Sequence, residues 1–254
     1  MNTKLSVAIV AQDEEDRLPR CLESLFFADE VLVVDSGSQD DTVDIAGSFG
    51  CNVLFQPWLG YARQKQYAVD HCQNDWVLIL DADERVPKET ADEIKKILGE
   101  PSYVAYSFLR KSFFHDRWIR CCGWWPNRVL RLVDRRQGRF NDHLVHESWI
   151  ADGDVKELDI VLEHYSFRNY ADLIHKMQIY STLAAEEMLQ DGRRAGWWTP
   201  FSHGLWMFVR SYFLELGISE GFDGFMISMM NAQGSFMKYA KLRELEIRNL
   251  KLET

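Results

Sequence analysis

Trp76-Val77-Leu78-Ile79-Leu80-Asp81-Ala82-Asp83-Glu84-Arg85 is the stretch that decides the fold. Its five leading residues form a short unbroken apolar run, with no helical or alternating period. Such a run reads as a strand covered by helices on both faces. Its exit is abruptly acidic. The same pattern recurs upstream. Leu5 to Ala11 is an apolar run that exits into Gln12-Asp13-Glu14-Glu15-Asp16, and Glu30 to Asp35 breaks at Ser36-Gly37-Ser38. A weaker strand fits Asn52 to Gln56. Between these lie helical stretches. One is predicted over Leu18–Phe27, with Pro19 in its first turn, where a missing N–H costs little. A short one follows Asp41, which stands with Ser38 in capping-box-like spacing. Two more cover Tyr61–Cys72 and the residues from Pro87 to Leu98. Strands alternating with helices predict an α/β protein with a mostly parallel sheet flanked by helices.

The middle of the chain, from about Tyr103 to His164, reads differently. Short strand-like pieces such as Val129–Val133 and Val155–Leu162 are separated by Gly, Pro, Asn and Asp. They are expected to extend the sheet in mixed fashion, with long loops. The last third is helical, over roughly Tyr170–Leu189, Phe201–Leu216 and Phe222–Leu250. The expected organisation is an α/β domain over 1–165, in two halves of about 1–100 and 101–165, followed by a helical C-terminal extension over 166–254. That extension is aromatic between Arg193 and Phe213, which fits a surface that touches a membrane.

The net charge of -10 disfavours nucleic acid as a partner. Charge is unevenly placed, however. Arg110 to Arg139 holds nine Arg or Lys and two Asp. That local excess predicts a cradle for phosphate or carboxylate, which arginine forks bind well. The five cysteines are odd in number and match no zinc spacing, so they read as reduced thiols of a cytoplasmic protein. Lys4 is followed by a short strand, so no signal peptide is read. No apolar stretch reaches about 18 residues, so none is read as spanning a membrane.

Asp35, Asp81 and Asp83 fall at the carboxyl ends of predicted strands. In open α/β sheets that edge is where ligands bind. Carboxylates at i and i+2 there can share Mg²⁺ or Mn²⁺, with donor phosphates completing the shell. A dinucleotide fold of the Gly-x-Gly-x-x-Gly type is excluded, because the first turn, Ala11 to Glu15, has no glycine. A Walker A loop is absent too. His146-Glu147 follows the basic segment. A glutamate there can take a proton from an acceptor hydroxyl, and the nearby alternatives for that proton are Asp142, His143 and His146.

These strings resemble glycosyltransferase family 2, in its lipopolysaccharide-core β-glycosyltransferase branch. The similarity rests on Asp35-Ser36-Gly37-Ser38 with Asp41-Thr42, Gly60 through Lys65, Trp76 through Arg85 and Gly123-Trp124-Trp125-Pro126. It continues through Val129-Leu130-Arg131-Leu132, Val145-His146-Glu147, His164-Tyr165-Ser166 and Phe236 through Lys241. The resemblance implies a GT-A nucleotide-diphospho-sugar transferase fold and a metal-dependent, inverting transfer. By it, Ala11, Glu14, Asp35, Lys65, Asp81 and Asp83 would bind the donor. Asp83 and Asp81 would also bind Mg²⁺ or Mn²⁺. Glu147 would be the base, with His146 beside it, and Arg128 and Arg131 would hold acceptor or phosphate. The implied donor is a nucleotide sugar, with a UDP-sugar favoured over an ADP-sugar. The implied acceptor is an anionic lipopolysaccharide core at the cytoplasmic face of the inner membrane, in a β-1,4-glucosyltransferase-like reaction. Two other readings stand beside it: the same donor chemistry on a polyisoprenyl-phosphate or other polysaccharide acceptor, and a non-catalytic sugar-binding or scaffold protein. The chain has Asp13-Glu14 where members usually carry Asn-Glu, and Gln66 where Asn is common. Both differences bear on donor preference and not on reaction class.

Overall fold

The computed structural model describes residues 3–141 and 147–252, with side chains described to residue 248. The chain forms two compact units. The first holds residues 3–112, 126–141 and 147–166; the second holds 113–125 and 167–252.

In the first unit the chain runs β1 (Leu5–Ala11), α1 (Leu18–Glu23), β2 (Glu30–Asp35), α2 (Thr42–Ser48), β3 (Asn52–Phe55), α3 (Tyr61–Asp70) and β4 (Trp76–Asp81). It continues through β5 (Glu84–Arg85), α4 (Lys88–Gly99) and β6 (Ala105–Phe114), whose last two residues pair with β7 (Arg117–Trp118) of the second unit. Then come β8 (Arg128–Asp134), β9 (Gly138–Phe140), β10 (Trp149–Ala151) and β11 (Val155–Phe167). The main sheet has the order β3-β2-β1-β4-β8-β6-β11-β5. β1 pairs in parallel with β2 and β4, and β2 with β3, whereas β4–β8, β6–β8 and β5–β11 are antiparallel. The expected mostly parallel sheet is therefore a mixed one, parallel in its first half only. The reversal begins at β8, which lies between β4 and β6 and is antiparallel to both, so that β6 runs in the same direction as β4.

Alternation along β1 and β4 builds the two faces. Leu5, Val7 and Ile9, with Leu78 and Leu80, pack on Leu18 and Leu22 of α1 and on Ala91, Ile94 and Leu98 of α4. Ala8, Val77 and Ile79 pack on Ala68 and Val69 of α3. A strand buried on both sides needs apolar residues at every position, which is why these runs do not alternate in polarity.

Three sequence expectations are corrected here. The helix predicted to Phe27 ends at Glu23, because Ser24 Oγ donates to Cys21 O at 2.6 Å and the chain continues as tight turns. The Ser38/Asp41 capping box does not form. Asp41 makes no side-chain cap, and Ser38 Oγ turns back to Asp35 at 2.5 Å. The middle segment contains the ten-residue strand β6, whose polar Arg110, Lys111 and Ser112 hid its strand pattern.

The second unit carries α5 (Tyr170–Gln190), α6 (Thr199–Val209) and α7 (Gly221–Leu252). Asn169 caps α5 by accepting from Asp172 N at 3.0 Å. The single helix predicted over Phe201–Leu216 is instead α6 followed by a π turn, Arg210–Leu214, and a 3-10 turn, Gly217–Glu220. Asn231 Nδ2 reaches Ser211 Oγ at 3.0 Å, inside that interrupted stretch. Phe114, Ile119, Cys121, Cys122, Leu173 and Ile227 form its core. Among the described residues no helix is long and apolar enough to cross a membrane.

The β9–β10 hairpin depends on Gly138. At φ +151° a Cβ there would lie 2.4 Å from Ile150 O and 2.4 Å from Trp149 Nε1. Trp149 is buried and stands two residues after Glu147. Gly138→Ala should therefore displace Trp149 and cost about 1–3 kcal/mol, as overpacking does. Urea unfolding midpoints check this, and an unchanged midpoint would contradict it.

Candidate active site

The parallel register brings the expected donor residues to one edge. Ala11 stands opposite Asp35, and Val10 opposite Asp81, so the ends of β1, β2 and β4 lie side by side. This is the carboxyl edge where open α/β sheets bind ligands. Asp35 is buried, and its carboxylate accepts from Gly37 N at 2.9 Å and from Ser38 Oγ. Those bonds close the turn after β2. Glu14 faces Arg17, Oε2 to Nε at 2.6 Å, and its backbone N–H donates to Thr42 Oγ1. Arg17 NH1 donates to Ser166 O at 3.1 Å and stands 3.7 Å from Asp83 Oδ2.

Asp81 and its neighbours form a buried ionic cluster. Arg131 NH2 lies 2.6 Å from Asp81 Oδ2 and 2.7 Å from Glu84 Oε1. Arg110 NH1 stands 3.6 Å from the same Glu84 oxygen. Lys65 Nζ lies 2.7 Å from Asp81 Oδ1 and 3.0 Å from Glu147 Oε1. A single ammonium thus joins the strand-end carboxylate to the expected base. Burial works against ionising Asp81, but Arg131 first and then Lys65 outweigh it and hold its carboxyl well below the usual carboxylate range. Burial likewise disfavours the charge on Lys65, yet Asp81 leads the opposing groups and its pKa is raised. Beneath them Cys21 is kept as a thiol, by burial first and then by the charges of Glu84, Asp83 and Asp81.

The structure thus gathers Ala11, Glu14, Asp35, Lys65, Asp81, Asp83, Arg131 and Glu147 at one edge. It places Arg128 elsewhere, on the surface with Glu157 at 3.1 Å and Asp159 at 2.8 Å. His146 lies outside the described residues, as do Asp142 and His143. The basic segment is not an open cradle. Besides Arg110, Arg128 and Arg131, Arg136 pairs with Asp134 and Asp75, and Arg117 pairs with Glu220 and Asp223. Arg17 was not singled out from sequence; Arg110 belonged to the basic segment, and Glu84 and His164 stood in the resembling strings without a role. His164 Nε2 is 3.4 Å from Asp83 Oδ1, because β11 pairs with β5 and sets His164 opposite Glu84. A groove of about 520 Å³ lies at the other edge, beside the starts of β2 and β3, away from these carboxylates.

The donor chemistry fits a hard divalent cation. Asp81 and Asp83 offer oxygen, and His164 offers nitrogen beside Asp83. Among the described residues no three such groups converge closely enough to hold a metal alone. Mg²⁺ is commonly held by one or two carboxylates, with substrate phosphates completing the shell. Arg17, Lys65, Arg110 and Arg131 each already face a carboxylate.

The Asp81 shift has a pH consequence. A depressed native pKa contributes stability above the unfolded value of about 3.9, and that stability is lost as pH falls through the native value. Asp81→Asn takes one carboxylate from Lys65 and from Arg131, leaving Glu147 and Glu84 as their partners. It should cost about 3 kcal/mol at neutral pH, the lower end for a broken buried pair, because Asp81 is 30% exposed. The gap between variant and wild type should narrow as pH falls below about 4. Urea midpoints followed downward from neutral pH test this; a gap independent of pH would contradict it.

Comparison with known proteins agrees with this geometry. Residues 6–149 match glycosyl transferase family 2. An uncharacterized glycosyltransferase of Rickettsia typhi is 34% identical, over 97% of this chain and 89% of that protein. The lipopolysaccharide core biosynthesis glycosyltransferase LpsC of Rhizobium meliloti is 30% identical, over 94% of this chain and 91% of that protein. The fold is similar to that of S. aureus TarS residues 1–349, solved in complex with UDP-GlcNAc, with a TM-score of 0.50 and 14% identity over 97% of this chain and 92% of that one. The match over most of the nucleotide-binding edge, with relatives aligned along nearly the whole chain, shows that this protein belongs to glycosyltransferase family 2 and is a nucleotide-sugar-dependent glycosyltransferase.

Proposed function

We propose that the protein is an inverting, metal-dependent transferase in which Glu147 is the general base. The observation that carries this reading is Lys65, which touches Asp81 on the donor edge and Glu147 with the same Nζ. The acceptor hydroxyl oxygen attacks the anomeric carbon, and the bond from that carbon to the diphosphate breaks. The hydroxyl proton goes to Glu147, and the nucleoside diphosphate leaves with its electron pair. Ala11, Glu14 and Asp35 shape the end of β1 and β2 for base and ribose. Asp83, with Asp81 and His164 beside it, would hold Mg²⁺ or Mn²⁺, which when bound stabilises the charge growing on the leaving diphosphate. Arg131 fixes Asp81 and Glu84 in place. A UDP-sugar is the donor we favour, since UDP-GlcNAc occupies the similar TarS fold.

For the acceptor, a polyisoprenyl-phosphate or other polysaccharide is the better supported class. The case for a strongly anionic core rested on the Arg110–Arg139 excess, and most of those arginines face protein carboxylates. A lipopolysaccharide core is the narrower reading, carried by the likeness to LpsC. Either a core or a polyprenol acceptor is lipid-linked, which puts the reaction at a membrane surface. We assign it to the cytoplasmic face, in keeping with the free thiols of Cys21, Cys51, Cys72, Cys121 and Cys122.

Glu147→Gln keeps shape and removes basicity. It should lower kcat by about 10²–10⁴-fold while donor affinity by titration stays near wild type. The product linkage should be inverted relative to the donor by NMR. A retained linkage, or full turnover by the variant, would remove Glu147 from this role. Exhaustive chelation should abolish transfer and Mg²⁺ or Mn²⁺ should restore it, whereas undiminished transfer after chelation would exclude a metal.

A further inference from the structure

From Arg193 to Leu214 this acidic chain has three arginines and no Asp or Glu. The same stretch supplies Trp197, Trp198, Phe201, Leu205 and Trp206, all more than half exposed. Their exposure is not random. α6 covers one face with α7: Gly204 sits against Phe236, where a Cβ would lie 3.1 Å from the phenylalanine Cβ, and Ser235 Oγ donates to His203 O. Trp198 and Leu205, with Trp206 beside them, stand exposed away from that contact, while Phe201 lies at its margin with its ring 5.2 Å from that of Phe236. Beyond the helix, the π turn continues the pattern with exposed Phe213 and Leu214. Arg193 and Arg194 stand exposed just before the helix, and Arg210, at its C-terminal end, is paired with Glu215 at 2.7 Å.

We infer that this face is an interfacial docking surface for an anionic lipid bilayer. A water-facing helix does not keep three large aromatic and aliphatic residues on one stripe without an apolar partner. Tryptophan is suited to the headgroup boundary, where its ring is buried and its N–H stays wet. Arginines flanking such a stripe meet anionic headgroups, each contributing about 1 kcal/mol near the surface. The remaining chain carries an excess of acid, which the same headgroups repel, so charge alone turns this face toward the lipid. α6 has only 11 residues, far short of a span, so it would lie in the plane of the interface. A second copy of the chain fits less well, because a two-fold contact through this face gathers Arg193 and Arg194 of both copies in one interface, in a segment with no Asp or Glu to answer them. The inference rests on the proposed lipid-linked acceptor only for its purpose; the surface itself stands on the exposure and charge of this segment.

The test uses the full chain with vesicles of phosphatidylcholine alone or mixed with phosphatidylglycerol. The protein should sediment with the anionic vesicles and much less with the neutral ones, and bromine-labelled acyl chains should quench its tryptophan fluorescence. Trp198→Ser and Trp206→Ser should each weaken vesicle binding about tenfold. Arg193→Gln and Arg194→Gln should each weaken it about fivefold. Donor hydrolysis in lipid-free solution should be unchanged in all four. Equal binding to both vesicle types, binding unaffected by these substitutions, or a dimer in sedimentation velocity that they disperse would overturn the inference. Vesicle binding that persists in a protein unable to turn over any nucleotide sugar would instead count against the proposed function and leave the surface standing.

Discussion

Carboxylates cannot crowd the end of a buried strand without cations set between them, and the arrangement of Asp81, Glu84 and Glu147 follows from that constraint. Desolvation penalises each charge, and mutual repulsion adds to it. Arg131 answers for two of them, at 2.6 and 2.7 Å, and Lys65 answers for Asp81 again and for Glu147. Such a network adds little stability over an apolar core of the same shape, but losing one member is costly. Its value here is positional. Arg131 comes from β8, Lys65 from α3 and Glu147 from the residues before β10, so three separate elements are held to one edge of the sheet.

The same network explains why the arginine-rich middle of the chain does not form one anion cradle. Glu84 is wholly buried and draws in Arg110 and Arg131. Asp134 and Asp75 take Arg136. A local excess of positive charge in sequence is thereby balanced in space by acids from distant segments. A diphosphate arriving at this edge meets cations already engaged.

The parallel half of the sheet was legible in the sequence, because doubly buried strands must be apolar throughout and their ends must carry the turn. Leu5–Ala11, Glu30–Asp35 and Trp76–Asp81 announced themselves on that basis, and Asp35 and Asp81 fell where strand-end residues fall. The antiparallel half was not legible to the same degree. β6 carries Arg110, Lys111 and Ser112, and its strand character comes from the neighbours it finds in β8. Partners were the least legible feature. Lys65 and Glu147 are 82 residues apart, and His164 reaches Asp83 only because β11 returns beside β5. Residue types gave the candidates, while sheet order decided which of them meet. Helix ends failed for local reasons, as at Ser24 and in the π turn after α6, where a side chain or a distant contact outweighed helical periodicity.

The central claim is that Lys65 couples the donor edge to Glu147, the proposed base. The most direct measurement is a double-mutant cycle on kcat/KM with wild type, Lys65→Met, Glu147→Gln and the double variant. The account predicts strong non-additivity, the double variant being little worse than Glu147→Gln alone, because each substitution removes the same contact. Losses that simply multiply would contradict it.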